Sequence, residues 1–177
     1  RIPDDALVDA LVAAARAGVL VAVHCEDETI TSAAADRCRS DGRSDADAWL
    51  ASRPVEAEVR AIQRLADAAL ATGARVHVVH VSSAAAVDAI RAARRRGVAM
   101  TGETCPHYLT FIDEDVRRAG AALKCAPPIR GAAERDALWR AVASGDLDLV
   151  ASDHSPCPRD LKQGDDLVAA WGGIAGI

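Results

Sequence analysis

With 177 residues, the chain is long enough for one domain with a sizeable hydrophobic core. Half of it is hydrophobic, mostly Ala, Val and Leu with only five aromatics, which excludes a disordered chain. A net charge of -5 and a pI near 5.5 give no electrostatic footprint for nucleic acid. No apolar run approaches the ~18 residues of a membrane span, and no signal peptide is visible.

In chain order, one pattern recurs four times: an amphipathic helical stretch, a glycine, then a short apolar run. The helices are expected over 3–17, 54–72, 83–96 and 132–144, and the strands over 19–25, 74–83, 98–105 and 146–155. In the second helix Val59, Ile62, Leu65 and Ala69 mark an apolar stripe at steps of three and four. Gly18, Gly73, Gly97 and Gly145 suit left-handed C-terminal caps, and Pro3 and Pro54 suit first-turn positions. The basic run Arg94-Arg95-Arg96 falls where a helix ends and complements its dipole. Val-, Leu- and Ala-rich strands without strict alternation are the mark of parallel strands covered on both faces. Such alternation predicts an α/β fold. The polar segment from Glu26 to Arg53 reads as a long irregular loop.

The five cysteines (25, 38, 105, 125 and 157) are odd in number, with no CxxC pair. This predicts reduced thiols and a cytoplasmic location. The chain begins with Arg1 rather than Met, so it is expected to be a piece of something longer.

The ends of the strands hold the ionisable residues: His24-Cys25-Glu26-Asp27 after the first, His80-Val81-Ser82-Ser83 after the second, Asp153-His154 after the fourth. In parallel α/β sheets the C-terminal strand ends form the active-site face. Two imidazoles and a carboxylate make a ligand set for zinc and related divalent ions, so His24, His80 and Asp153 are the candidate metal ligands. Glu26 and Asp27 read as solvated or structural loop acids, and Cys25 and Cys105 as buried fillers. His77 reads as structural, on the face opposite His80. His107, in TCPHYL, is open between a substrate contact and a turn residue.

The strings HCE, HVSS, ETCPHYLTF, KCAPPIR, SDHSPC and WGGIAGI occur in this order from His24 to the last residue. Together they resemble the cyclic amidohydrolases, the family of dihydroorotases, hydantoinases and allantoinases, and within it the allantoinase branch most. The resemblance implies part of a (β/α)8 barrel, with the four strands as strands five to eight. It implies two divalent metals, usually zinc, held by an HxH pair, a bridging carboxylated lysine, two histidines and an aspartate. His24, His80 and Asp153 match the last three, with Asp153 also the proton-transfer residue. No HxH pair occurs here, and Lys124 and Lys162, the only lysines, stand on no fourth-strand end. The chain is therefore expected to be the C-terminal part, 1–177, of a single barrel domain, and inactive alone. Backbone groups at Ala126 and Gly172 match the family's contacts to the ring amide. Cys157 stands where dihydroorotases carry a histidine for a substrate carboxylate, which implies a neutral ureide, allantoin opened to allantoate. A hydantoinase-like cyclic amidase and a non-catalytic homologue are the alternatives. A homo-oligomer, tetramer or dimer, is implied for the full-length protein.

Overall fold

A computed structural model describes residues 2–164 and 166–176; Ile177, which closes the WGGIAGI string, lies outside them. Four strands, β1 (Leu20–Val23), β2 (Arg75–Val78), β3 (Met100–Thr104) and β4 (Leu149–Val150), form one sheet in the order β1-β2-β3-β4. Every pairing is parallel, with Val21 opposite Val76, His77 opposite Thr101 and Glu103 opposite Leu149. Parallel neighbours need a crossover. Helices α4 (Val55–Thr72), α5 (Ala84–Arg95) and α8 (Ala132–Ser144) lie in the three connections, and α1 (Asp4–Ala17) precedes β1. The α/β architecture and the four helix–strand pairs are those expected from the sequence.

The helices pack in the order of the strands, α1 on α4, α4 on α5 and α5 on α8. Their apolar faces close over the sheet through Leu11, Ile62, Leu65, Ile90 and Leu138, all buried, with Val76 and Val78 beneath them. Helix and sheet approach closely at Gly102 of β3, where a Cβ would come within 2.8 Å of Ile90 Cδ1. Gly18, Gly73 and Gly145 take left-handed conformations that end α1, α4 and α8.

Two expectations fail. The segment from Glu26 to Arg53 is not an irregular loop: it forms α2 (Glu28–Ser40) and α3 (Ala46–Ser52). Each starts at an aspartate cap. Asp27 accepts from the Thr29 N–H at 2.9 Å, and Asp45 from the Ala48 N–H at 2.8 Å. Their buried sides are small (Ala34, Cys38 and Ala48, with Trp49), so the apolar period is weak in the sequence. In α4, the buried slot read for Val59 belongs to Glu58, which is 1% exposed.

The short helices α6 (Pro106–Thr110) and α7 (Asp113–Ala119) follow β3. Both outer strands leave apolar residues open: Leu20 is 51% exposed on β1, and Leu149 and Val150 are 47% and 41% exposed on β4. A groove of about 630 Å³ lined by Leu7, Leu11, Val21, Val23, His24 and Glu26 flanks β1. Among the described residues no helix is long and apolar enough to cross a membrane. All five cysteines are unbridged, and Cys25 and Cys105 are buried as expected.

Candidate metal centre

His24 follows β1 directly, and His80 lies two residues beyond β2, so the parallel register brings both to one end of the sheet. Their rings meet edge to face with centroids 4.7 Å apart, and His24 Nδ1 stands 2.9 Å from His80 Nε2. The other nitrogen of His24, Nε2, is 3.1 Å from Glu26 Oε2. A carboxylate only accepts, so the proton belongs on Nε2 and the lone pair of Nδ1 points at His80.

Of the two readings of Glu26, solvated or structural, the structure shows the structural one. Its side chain is 2% exposed and also takes a close ion pair from Arg53. Burial pushes the Glu26 pKa up, but the hydrogen bond from His24 and the charges of Arg53, His24 and Arg130 outweigh it, and the net shift is downward. His80 is buried, and burial, then the charge of His24, pushes its pKa down to about 4. It is neutral at physiological pH, the form that ligates metals.

The His80 segment is fixed from behind. Glu58, fully buried in α4, accepts from the Ser82 N–H at 2.8 Å, the Ser82 hydroxyl at 2.9 Å and the Ser83 hydroxyl at 2.8 Å. Burial raises its pKa, opposed by Arg130 and these donors. Arg130 Nε donates to Ser82 Oγ at 3.3 Å and its Nη1 to Arg53 O at 2.5 Å. One polar network therefore runs from His24 through Glu26, Arg53 and Arg130 to Ser82 and Glu58. Sequence reasoning missed Arg53, Glu58 and Arg130. Glu58 left a signal, since it falls on the stripe of Ile62, Leu65 and Ala69, where an acid needs a partner.

The only non-glycine residues with positive φ among those described are His80 and Asp153, each at 44°. Such conformations cost energy and persist where the surroundings hold them, often at functional sites. Asp153 lies three residues beyond β4 and is exposed, and no hydrogen bond joins it to the histidine pair. Its field reaches Cys105, Cys125 and His107 instead. His77 stays outside the pair: its ring lies 2.7 Å from Thr101 Oγ1 and 3.0 Å from Glu103 Oε2 on β3. The segments that carry Ala126 and Gly172 are joined by one hydrogen bond, the Gly173 N–H donating to Lys124 O at 2.9 Å. Nothing lies within 4 Å of where a Gly172 Cβ would stand. Cys157 is partly exposed.

The pair fits a divalent ion in chemistry and spacing. Two nitrogens bound at ~2.05 Å to one tetrahedral ion stand ~3.3 Å apart, a few tenths from the separation seen. Without an ion, one lone pair must accept from the other ring, and the buried Nδ1 of His80 has no partner. Among the described residues, however, no three His, Cys, Asp or Glu groups gather as a metal-holding cluster. The chain supplies a pair with Asp153 apart from it.

No protein-family model matches the chain. Curated proteins named allantoinase do: those of Rubrobacter xylanophilus and Solibacter usitatus are each 50% identical, over 98% and 100% of this chain. The chain spans only 38% and 39% of their lengths. Among solved structures, the L-hydantoinase of Arthrobacter aurescens superposes with a TM-score of 0.95 at 33% identity, over 99% of this chain and 39% of that one. The D-hydantoinase of a Thermus species gives 0.93 at 28%, over 98% and 39%. Along its whole length, then, this chain is similar to a part of the cyclic amidohydrolases, and in sequence to a part of the allantoinases.

Proposed function

We propose that the protein to which this chain belongs opens the cyclic amide ring of allantoin by hydrolysis, giving allantoate. The observation that carries this reading is the meeting of His24 Nδ1 and His80 Nε2 at 2.9 Å, at one end of a parallel sheet. The four strands correspond in it to strands five to eight of a (β/α)8 barrel, with residues 1–177 as its C-terminal part. In this reading His24 and His80 would hold a divalent ion, zinc, and Asp153 would supply a further ligand to the metal centre. An HxH pair and a carboxylated lysine from the rest of the protein complete the set.

Divalent ions held there would supply a lowered pKa for the attacking water and polarisation of the ring carbonyl. Asp153 accepts the proton from that water and passes it to the departing ring nitrogen. Glu26 holds the Nε2–H of His24 and so keeps Nδ1 as the ligand atom. Backbone groups at Ala126 and Gly172 receive the ring amide. Cys157 offers no positive charge to a substrate carboxylate, whose burial unpaired is costly, and a neutral ring follows. The reading includes a cytoplasmic homo-oligomer, tetramer or dimer.

Hydantoin opening is the second reading, favoured by the names of the structural neighbours, D- and L-hydantoinase. Identity is higher with the allantoinases, 50% against 28–33%. The test is kcat/KM for allantoin, hydantoin and dihydroorotate on one preparation of the full-length protein. Preference for allantoin by at least ~10²-fold over dihydroorotate is expected. Preference for hydantoin would select the second reading, and equal efficiency with dihydroorotate would overturn both.

A further inference from the structure

His107 lies three residues beyond β3, in the first turn of α6. The order β1-β2-β3-β4 puts that strand end between those that lead to His80 and Asp153. The three ends are stitched together. The Val81 N–H donates to Glu103 O at 2.7 Å, Thr104 Oγ1 donates to Val81 O at 2.8 Å, and the Ala151 N–H donates to Thr104 O at 3.0 Å.

In this crowded place His107 is 4% exposed, with its ring edge-on to Tyr108 at a centroid distance of 4.2 Å. Tyr108 is anchored by its hydroxyl, which donates to Pro127 O at 2.6 Å. Neither ring nitrogen of His107 has a hydrogen-bond partner among the described residues. Burial, opposed by Asp153 and assisted by the charge of His80, pushes its pKa down to about 4. At neutral pH it therefore offers one N–H donor and one lone pair, both desolvated and both unmatched. Buried polar groups are nearly always matched, so such a ring calls for an occupant that hydrogen-bonds to it.

We propose that His107 contacts the ureido side chain of allantoin and is the residue that tells allantoin from hydantoin, which lacks that side chain. The inference rests on the allantoin reading above. There the ring amide already has backbone partners, so the ureido group is the part of the substrate still without one. A ureido group carries a carbonyl beside N–H groups. Either tautomer of a neutral imidazole serves it, donating to the carbonyl or accepting from an N–H.

The test uses the full-length, metal-loaded protein as wild type, His107→Phe and His107→Asn, with kcat/KM for allantoin and for hydantoin and the bound metal of each. His107→Phe is expected to lower the allantoin-to-hydantoin ratio of kcat/KM by about 10- to 100-fold, through KM for allantoin, with wild-type metal content. His107→Asn, which keeps a donor and an acceptor, should recover part of the ratio even if the Phe variant folds poorly. An unchanged ratio in both variants, or a fall accompanied by loss of metal, would overturn the assignment. If wild type opens hydantoin but not allantoin, the allantoin reading itself fails, a result visible before any variant is measured.

Discussion

His24 Nδ1 lies 2.9 Å from His80 Nε2, although 56 residues separate the two in the chain. The parallel register of β1 and β2 creates the meeting, and Glu26 on one side and Glu58 on the other hold it. In the full-length protein, His24→Ala and His80→Ala should each strip bound metal to well below the wild-type stoichiometry. Glu26→Gln should weaken metal affinity by about 10- to 100-fold, the usual effect of losing the group that orients a ligating histidine. Elemental analysis after equilibrium dialysis checks all three. Full metal content in His24→Ala would remove that histidine from the ligand set.

Glu26 also gives stability a pH dependence. Its folded pKa lies below its ordinary value, despite burial, because of His24, Arg53 and Arg130. A depressed carboxylate contributes stability that is present above its unfolded pKa, about 4.3, and lost as pH falls through the folded value. The gap in urea midpoint between wild type and Glu26→Gln should therefore be larger at pH 7 and shrink in the acid range. A gap that widens in acid would contradict the ion pair.

Glu58→Ala would leave the Ser82 N–H and two serine hydroxyls without their acceptor, and would remove the carboxyl that the Arg130 charge acts on. Leaving buried donors unsatisfied costs about 1–3 kcal/mol each. Urea unfolding should show a loss of that size, with a smaller one for Glu58→Gln, which fills the same volume. Less than ~1 kcal/mol lost in Glu58→Ala would mean that the network does not hold the His80 segment.

What the sequence made legible follows physical periodicity. Long amphipathic helices such as α4 and apolar parallel strands write repeats into the chain, and α1, α4, α5, α8 and all four strands were found this way. Apart from Trp49, helices α2 and α3 bury only small or polar side chains (Thr31, Ala34, Cys38, Ala48 and Ser52), leaving little periodic contrast; only the capping aspartates, Asp27 and Asp45, announce them. At the site, His24 and His80 stood out as ionisable residues at strand ends. Arg53 and Arg130 did not, because their role depends on which segments lie side by side. Glu58 could have been found as an acid on an apolar stripe. The strained backbone at His80 and Asp153 leaves no mark in composition at all.

The open strand edges predict the behaviour of the chain produced by itself. Leu20 on β1 and Leu149 and Val150 on β4 expose apolar surface beside unpaired backbone groups, a template for association. Light scattering of the 177-residue chain should show concentration-dependent self-association, with no ring opening of allantoin when zinc is added. A monodisperse, cooperatively unfolding monomer would contradict this.

The measurement that tests the central claim most directly is allantoin ring opening by the full-length protein, as wild type and as Asp153→Asn. Each is assayed after chelation and again after zinc is restored, with bound zinc determined in parallel. Wild type should lose activity on chelation and regain it with zinc. Asp153→Asn should keep much of its zinc and lose roughly 10²–10⁴-fold in rate, because the amide cannot accept the proton. Metal-independent turnover by wild type, or a near-normal rate in the zinc-loaded Asp153→Asn protein, would contradict the account.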